Sequence, residues 1–163
     1  NRDTKWNKLL TIKNIYNMKI FKYFAMVAMA VGSIIATSTN ASATETEQSP
    51  TRTLIEMMVD EADNMLPMDL GGGMTMTKMY ISYDKFIIEC TCPSEIVDAI
   101  STVSDPSMKN MVLSVVASDE ATKLLLGLCA EADMGFAMVY TTPSGNNSAK
   151  LSYSASDLAK AIE

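Results

Sequence analysis

Apolar positions along the chain fall into two periods, and the switches between them predict the elements. Leu54, Met57, Met58, Ala62, Met65 and Leu66 recur at helical spacing. Thr53 with Glu56 fits a capping box for this helix, and Ser49-Pro50 is a rival start. Pro67 predicts its end. Gly71-Gly72-Gly73 cannot continue it, because three consecutive glycines give up too much backbone entropy, and they read as a flexible linker. Met74–Ser82 and residues 85–92 then read as two strands joined at Tyr83-Asp84. On the second strand Phe86, Ile88, Cys90 and Cys92 share one parity and are assigned to the core face. On the first, Met74 and Met76 share a face and Met79 falls on the opposite parity.

The helical period returns after Pro93-Ser94-Glu95, with Ile96, Val97, Ile100 and Val103 as its stripe. Ser104-Asp105-Pro106 restarts a helix with proline in first position. Met108, Met111, Val112, Val115 and Val116 follow at helical spacing. The β-branched run over residues 112–116 also suits a strand; the spacing favours helix. Ser118-Asp119-Glu120 caps a further helix with acids in its first turn. Its stripe is Ala121, Leu124, Leu125, Leu128 and Ala132, with Cys129 at the edge. Residues 134–142 and Ser148–Tyr153 read as strands around the turn cluster 143–147. Ser154 and Asp157 cap a last short helix over 157–163.

The predicted order is α-β-β-α-α-α-β-β-α. Two hairpins plus helices predict a two-layer α+β fold, with one antiparallel four-stranded sheet and helices packed mainly on one face.

The N-terminal third has a different pattern. Met18-Lys19-Ile20-Phe21-Lys22 is a short basic segment, the fourteen residues 23–36 carry no charge, and Ala41-Ser42-Ala43 supplies a small-x-small site. That succession is a secretory signal peptide over 18–43, cleaved after Ala43. The apolar run is shorter than the ~20 residues of a spanning helix, so no stable membrane span is expected after cleavage. Residues 1–17 are read as lying upstream of the natural start. Residues 44–51 are polar and read as a flexible tether, leaving a single globular domain over 52–163.

Cleavage changes the charge picture. The whole chain has 13 basic and 19 acidic residues. Arg2, Lys5, Lys8, Lys13, Lys19, Lys22 and Asp3 all precede Ala43, so the exported part keeps seven basic and eighteen acidic groups, net −11. Such a surface repels phosphate backbones, which argues against a nucleic-acid partner. The chain has no histidine, which excludes Ser-His-Asp and Cys-His catalysis and His-ligated zinc. Its one tryptophan, Trp6, precedes the signal.

Candidate chemistry rests on sulfur and carboxylates. Cys90, Cys92 and Cys129 all lie in the exported part, where disulfides are permitted. Cys90 and Cys92 point the same way on one strand, too far apart for an unstrained bond. Either Cys129 pairs with Cys90 or Cys92, or all three are reduced, buried hydrophobes. Eleven of the 14 methionines follow Ala43. Met74 and Met76, with Cys90 and Cys92 on the partner strand, would make a soft-metal copper site. Methionine also recurs in two of the helix stripes, as Met57, Met58, Met65, Met108 and Met111, which favours its use as an apolar filler. Asp60, Glu61 and Asp63 form an acidic cluster without the Gly-centred spacing of a calcium loop.

The segment "LLLGLCAEADMGFAMVYTTPSGNNSAKLSYSASDL" resembles a pattern of small exported bacterial α+β proteins of unknown function. The pattern is a Leu-rich helix, a strand ending in tyrosine, a Gly/Asn turn, a return strand and a Ser/Asp-capped helix. "NMLPMDLGGGMTMTKMYISYDKFIIEC" resembles its first half. The resemblance implies that fold and an exported address, and it implies no catalytic residue. The expectation is an exported, periplasmic or secreted, non-catalytic domain without a cofactor. It would act on an unspecified protein partner or in the envelope. The alternative is a copper-binding protein using Met and Cys sulfurs.

Overall fold

The computed structural model describes residues 49–163. The expected upstream segment 1–17, the expected signal peptide 18–43 with its cleavage after Ala43, and most of the expected 44–51 tether lie outside the described residues. Helix α1, Pro50–Asp63, takes the rival start: Ser49 is its N-cap and Pro50 its first residue. Proline suits that position because its missing N–H would be unpartnered there anyway. Thr53 therefore sits inside the helix and the Thr53/Glu56 capping box does not form. Residues 50 and 51 are helical and not part of a tether. The helix buries Ile55, Met58 and Ala62.

The "LGGG" stretch is not a linker. Met68–Gly71 forms a short strand, β1, paired antiparallel with β2, Met74–Ser82. Gly71, Gly72 and Gly73 all have positive φ, the backbone region where glycine has no Cβ penalty. The Asp69 carboxylate accepts from Gly71 N–H at 2.8 Å and holds the turn. Strand β3, Lys85–Thr91, follows. Three helices come next: α2, Ser94–Ser101; α3, Pro106–Val116; and α4, Glu120–Glu131. The chain ends with β4, Gly135–Thr141; β5, Ser148–Tyr153; and α5, Ala155–Ile162. Residues 112–116 are helical. Asp105 caps α3 by accepting from Ser107 and Met108 N–H, and Pro106 leads it.

The sheet corrects the expected four antiparallel strands. It has five strands in the order β1-β2-β3-β4-β5, and β3 and β4 run parallel. The two hairpins do not meet antiparallel because residues 92–134 lie between β3 and β4. Those residues supply the long crossover that a parallel pair needs. Three rows of side chains cross the core face. They are Ile81–Phe86–Phe136–Tyr153, Met79–Ile88–Met138–Leu151, and Met68–Met76–Cys90–Tyr140–Ala149. Phe86 and Phe136 stack with centroids 6.0 Å apart. A contact of this kind adds about 0.5–1.5 kcal/mol beyond the area it buries.

Met79 departs from its expected parity. The register of β2 against β3 slips between Met76 and Lys78, so Thr77 is an extra, unpaired residue. The bulge returns Met79 to the face of Met74 and Met76, and all three are buried. Apolar residues from all five helices join these rows in one core cluster. Ile87 and Ala137, of the opposite parity, are buried outside it. The helices therefore pack on one face of the sheet, as expected.

Candidate functional site

Three places were marked by residue chemistry or by packing. The sulfur cluster is the first. Met76 and Cys90 are direct cross-strand partners, and Met74, Met79, Cys90 and Cys92 are all buried in the apolar core. Burial pushes the Cys90 thiol up to about 12, with Cys92 and Glu89 nearby adding to the rise. Burial alone pushes Cys92 up to about 11 and Cys129 up to about 12. A soft metal binds the thiolate, and here the neutral thiol is the form that the core favours. The β2–β3 pairing brings Met76 and Cys90 face to face, in a setting that resists the required ionisation, and copper binding finds no support. All three cysteines are free thiols in the structure, and the Cys129 pairing with Cys90 or Cys92 is absent from it. Asp60, Glu61 and Asp63 are exposed on α1. Among the described residues no group of three acids or thiols is placed to share a metal ion.

The second place is the sheet face without helices. The Tyr80 hydroxyl donates to Glu89 Oε1 at 2.8 Å, and Lys78 Nζ lies 3.8 Å from Glu89 Oε2. The hydrogen bond to Glu89 is the main reason the Tyr80 phenol titrates above its ordinary value, with desolvation and the carboxylate charge adding to it. Tyr80 therefore stays protonated, and all three groups are spent on one another. This is a cross-strand lacing of β2 and β3, without a free nucleophile or base.

The third place was not foreseen in the sequence. The expected stripe of α4 set Leu124, Leu125 and Leu128 in the core. The helix instead buries Thr122, Leu125, Leu126 and Cys129. This is the expected stripe turned by about one residue, and it leaves Leu124 54% exposed and Leu128 half-buried. The ends of α4 hold this rotation. Asp119 Oδ2 accepts from both the backbone N–H and the hydroxyl of Thr122, which makes a buried threonine acceptable at the helix start. At the other end the Met134 N–H donates to Cys129 O and the Asp133 N–H to Ala130 O, the paired bonds of a Schellman ending.

Leu124, Gly127 and Leu128, with Ile162 at the end of α5, line a shallow groove of about 440 Å³. Gly127 lowers its floor: a methyl there would come to 3.6 Å from Ile162 Cδ1. Glu120 and Glu131 stand at the two ends and Lys123 at one flank. The sequence did hold a signal for this site. Leu124, Leu125, Leu126, Leu128, Cys129 and Ala130 put apolar groups around more of the helix than one core stripe can take up.

No family model matches the chain, and no curated protein matches it significantly. Two solved structures are similar to it. One is a protein of Pseudomonas aeruginosa inferred to be secreted. It superposes with a TM-score of 0.52 at 12% identity, covering 71% of this chain and 99% of that one. The other is the pilotin EpsS of the Vibrio vulnificus type 2 secretion system, with a TM-score of 0.46 at 9% identity over 68% and 94%. The first likeness shows a shared α+β fold, and the second is one of outline. The resemblance to small exported α+β proteins thus holds as a loose structural one. No described helix is long and apolar enough to cross a membrane.

Proposed function

We propose that this chain is an exported domain that acts by binding a protein partner in the cell envelope, through the groove on α4, and not by catalysis. The observation that carries this reading is Leu124. A leucine half exposed at the centre of an apolar groove with charged ends is the anatomy of a small docking site, apolar at the centre and polar at the rim. The chemistry elsewhere supports it. The thiols are held neutral in the core, Tyr80, Lys78 and Glu89 bind one another, and the sequence has no histidine base.

A photo-crosslinking residue at position 124, with a control at position 150 on β5, tests the site in the native host. Adducts with another protein at 124, and few at 150, are expected. No adduct at 124, or the same adducts at both, would remove the groove from consideration. Export is tested by the N-terminus of the protein in the envelope fraction, expected at Thr44. An uncleaved chain confined to the cytoplasm would contradict it.

A further inference from the structure

The chemistry of the groove also selects its partner, and this step rests on the docking site just proposed. We infer that the α4 groove takes a basic amphipathic helix from another protein, with an apolar stripe on the groove floor and basic residues over Glu120 and Glu131.

Three features point this way. First, the open face of α4 has a helix-matching layout. Glu120, Leu124, Gly127 and Glu131 follow one another at spacings of four, three and four residues, the interval that lines up along one side of a helix. Gly127 adds no side chain to this face, beside Ile162 of α5. Second, the charge is acidic at both ends. Glu120 and Glu131 stand eleven residues apart, about 16 Å at 1.5 Å per residue. Neither carboxylate has an ion pair with another described residue, so both charges are available to a partner. The exported part is net −11, which steers cationic partners toward it. Third, a second copy of the chain fits poorly. In an antiparallel pairing of two α4 helices across this face, Glu120 of each would lie near Glu131 of the other. That sets like charges together at both ends, and a parallel pairing sets each glutamate against its twin.

The test uses the full-length chain and two synthetic helical peptides of equal length. Both carry leucines at i, i+3, i+4 and i+7. One has lysines flanking the stripe, eleven residues apart, and the other has glutamates there. Fluorescence anisotropy at physiological salt is expected to show the lysine peptide binding at least tenfold tighter. Leu124→Asp is expected to weaken it about tenfold or more. Glu120→Lys with Glu131→Lys is expected to reverse the preference toward the glutamate peptide. The control is Glu95→Lys with Asp84→Lys, which changes the net charge equally at exposed positions outside α4. It is expected to leave the lysine peptide within twofold of the unaltered chain. Circular dichroism confirms that each variant is folded. An equal loss in the control pair would reduce the binding to unspecific charge attraction and overturn the inference. Retained preference after the Glu120/Glu131 reversal would overturn it too. If adducts form at position 124 while the charge reversal has no effect, the docking site stands and only the basic-helix partner fails.

Discussion

Thr77 donates its hydroxyl to the Glu89 carbonyl at 3.2 Å, and it is the β2 residue that the register with β3 skips. The strand therefore alternates normally on either side of an extra residue. Deleting Thr77 closes the bulge and leaves Met74, Met76 and Met79 on the core face. Deleting Thr75, two residues earlier, swings Met74 out of the core. The Thr77 deletion is expected to fold cooperatively, with a loss of about 1 kcal/mol for the missing hydrogen bond. The Thr75 deletion is expected to lose about 2–5 kcal/mol, the scale of emptying a buried methionine site. Urea denaturation compares them, and equal damage from both would refute the bulge.

The three thiols are expected to resist iodoacetamide in the native protein. In denaturant without reductant, three are expected to react. A count of one would establish a disulfide. The pH dependence follows in sign. The folded thiols titrate near 11 to 12 and the unfolded ones near 9. Their contribution to stability is complete below about pH 9 and is lost as pH rises from there toward 12. The slope is about 1.4 kcal/mol per pH unit for each thiol. Replacing Cys90 and Cys129 with alanine is expected to remove much of the slope. An unchanged slope in that variant would assign alkaline unfolding to other groups.

Asp133 and Gly135, two residues apart, respond to substitution with opposite signs. Asp133 ends α4 at φ 52°, where glycine is less strained. Asp133→Gly is expected to stabilise the fold by about 0.5–1 kcal/mol. Gly135 starts β4 with its Cα against Tyr153, and a Cβ there would lie 2.6 Å from the Tyr153 carbonyl oxygen. Gly135→Ala is expected to destabilise by about 1–3 kcal/mol, the range of overpacking. Thermal melts of both variants check this, and shifts of the same sign would contradict it.

Ser154 and Asp157 form a reciprocal capping box at the start of α5. The Asp157 carboxylate accepts from the Ser154 hydroxyl at 2.7 Å and from its N–H at 2.9 Å. These two bonds, chiefly the hydroxyl one, hold the Asp157 pKa below the ordinary carboxylate value. The stability it contributes is present above about pH 4 and is lost as pH falls through the lowered value. Ser154→Ala is expected to lower stability by about 1 kcal/mol at pH 7. Asp157→Asn is expected to narrow its gap to the unaltered protein as pH falls below 4. A gap that widens there would mean that the carboxylate acts elsewhere.

Local chemistry was legible along the chain. The sequence by itself determined the caps at Asp105, Asp119 and Ser154, the turns at Tyr83-Asp84 and around Gly145, and the parity of β3. Each depends on residues within about four positions of one another, so one stretch of sequence holds the whole interaction. The Gly-Gly pair after Met68–Gly71 was also a hairpin signal, although the strand is only four residues long and follows a proline. Only the tertiary structure decided that β3 and β4 run parallel, that Thr77 bulges, and that α4 turns Leu124 outward. Those outcomes come from contacts between segments far apart in sequence. A run such as Leu124–Leu125–Leu126 offers several nearly equivalent faces, and the capped ends and neighbouring elements select among them. The sulfur cluster is the intermediate case. The hairpin put Met74 and Met76 on the strand that partners Cys90, while the Thr77 bulge set Met76 opposite Cys90 and the packed core around them supplied the burial that keeps the thiol protonated.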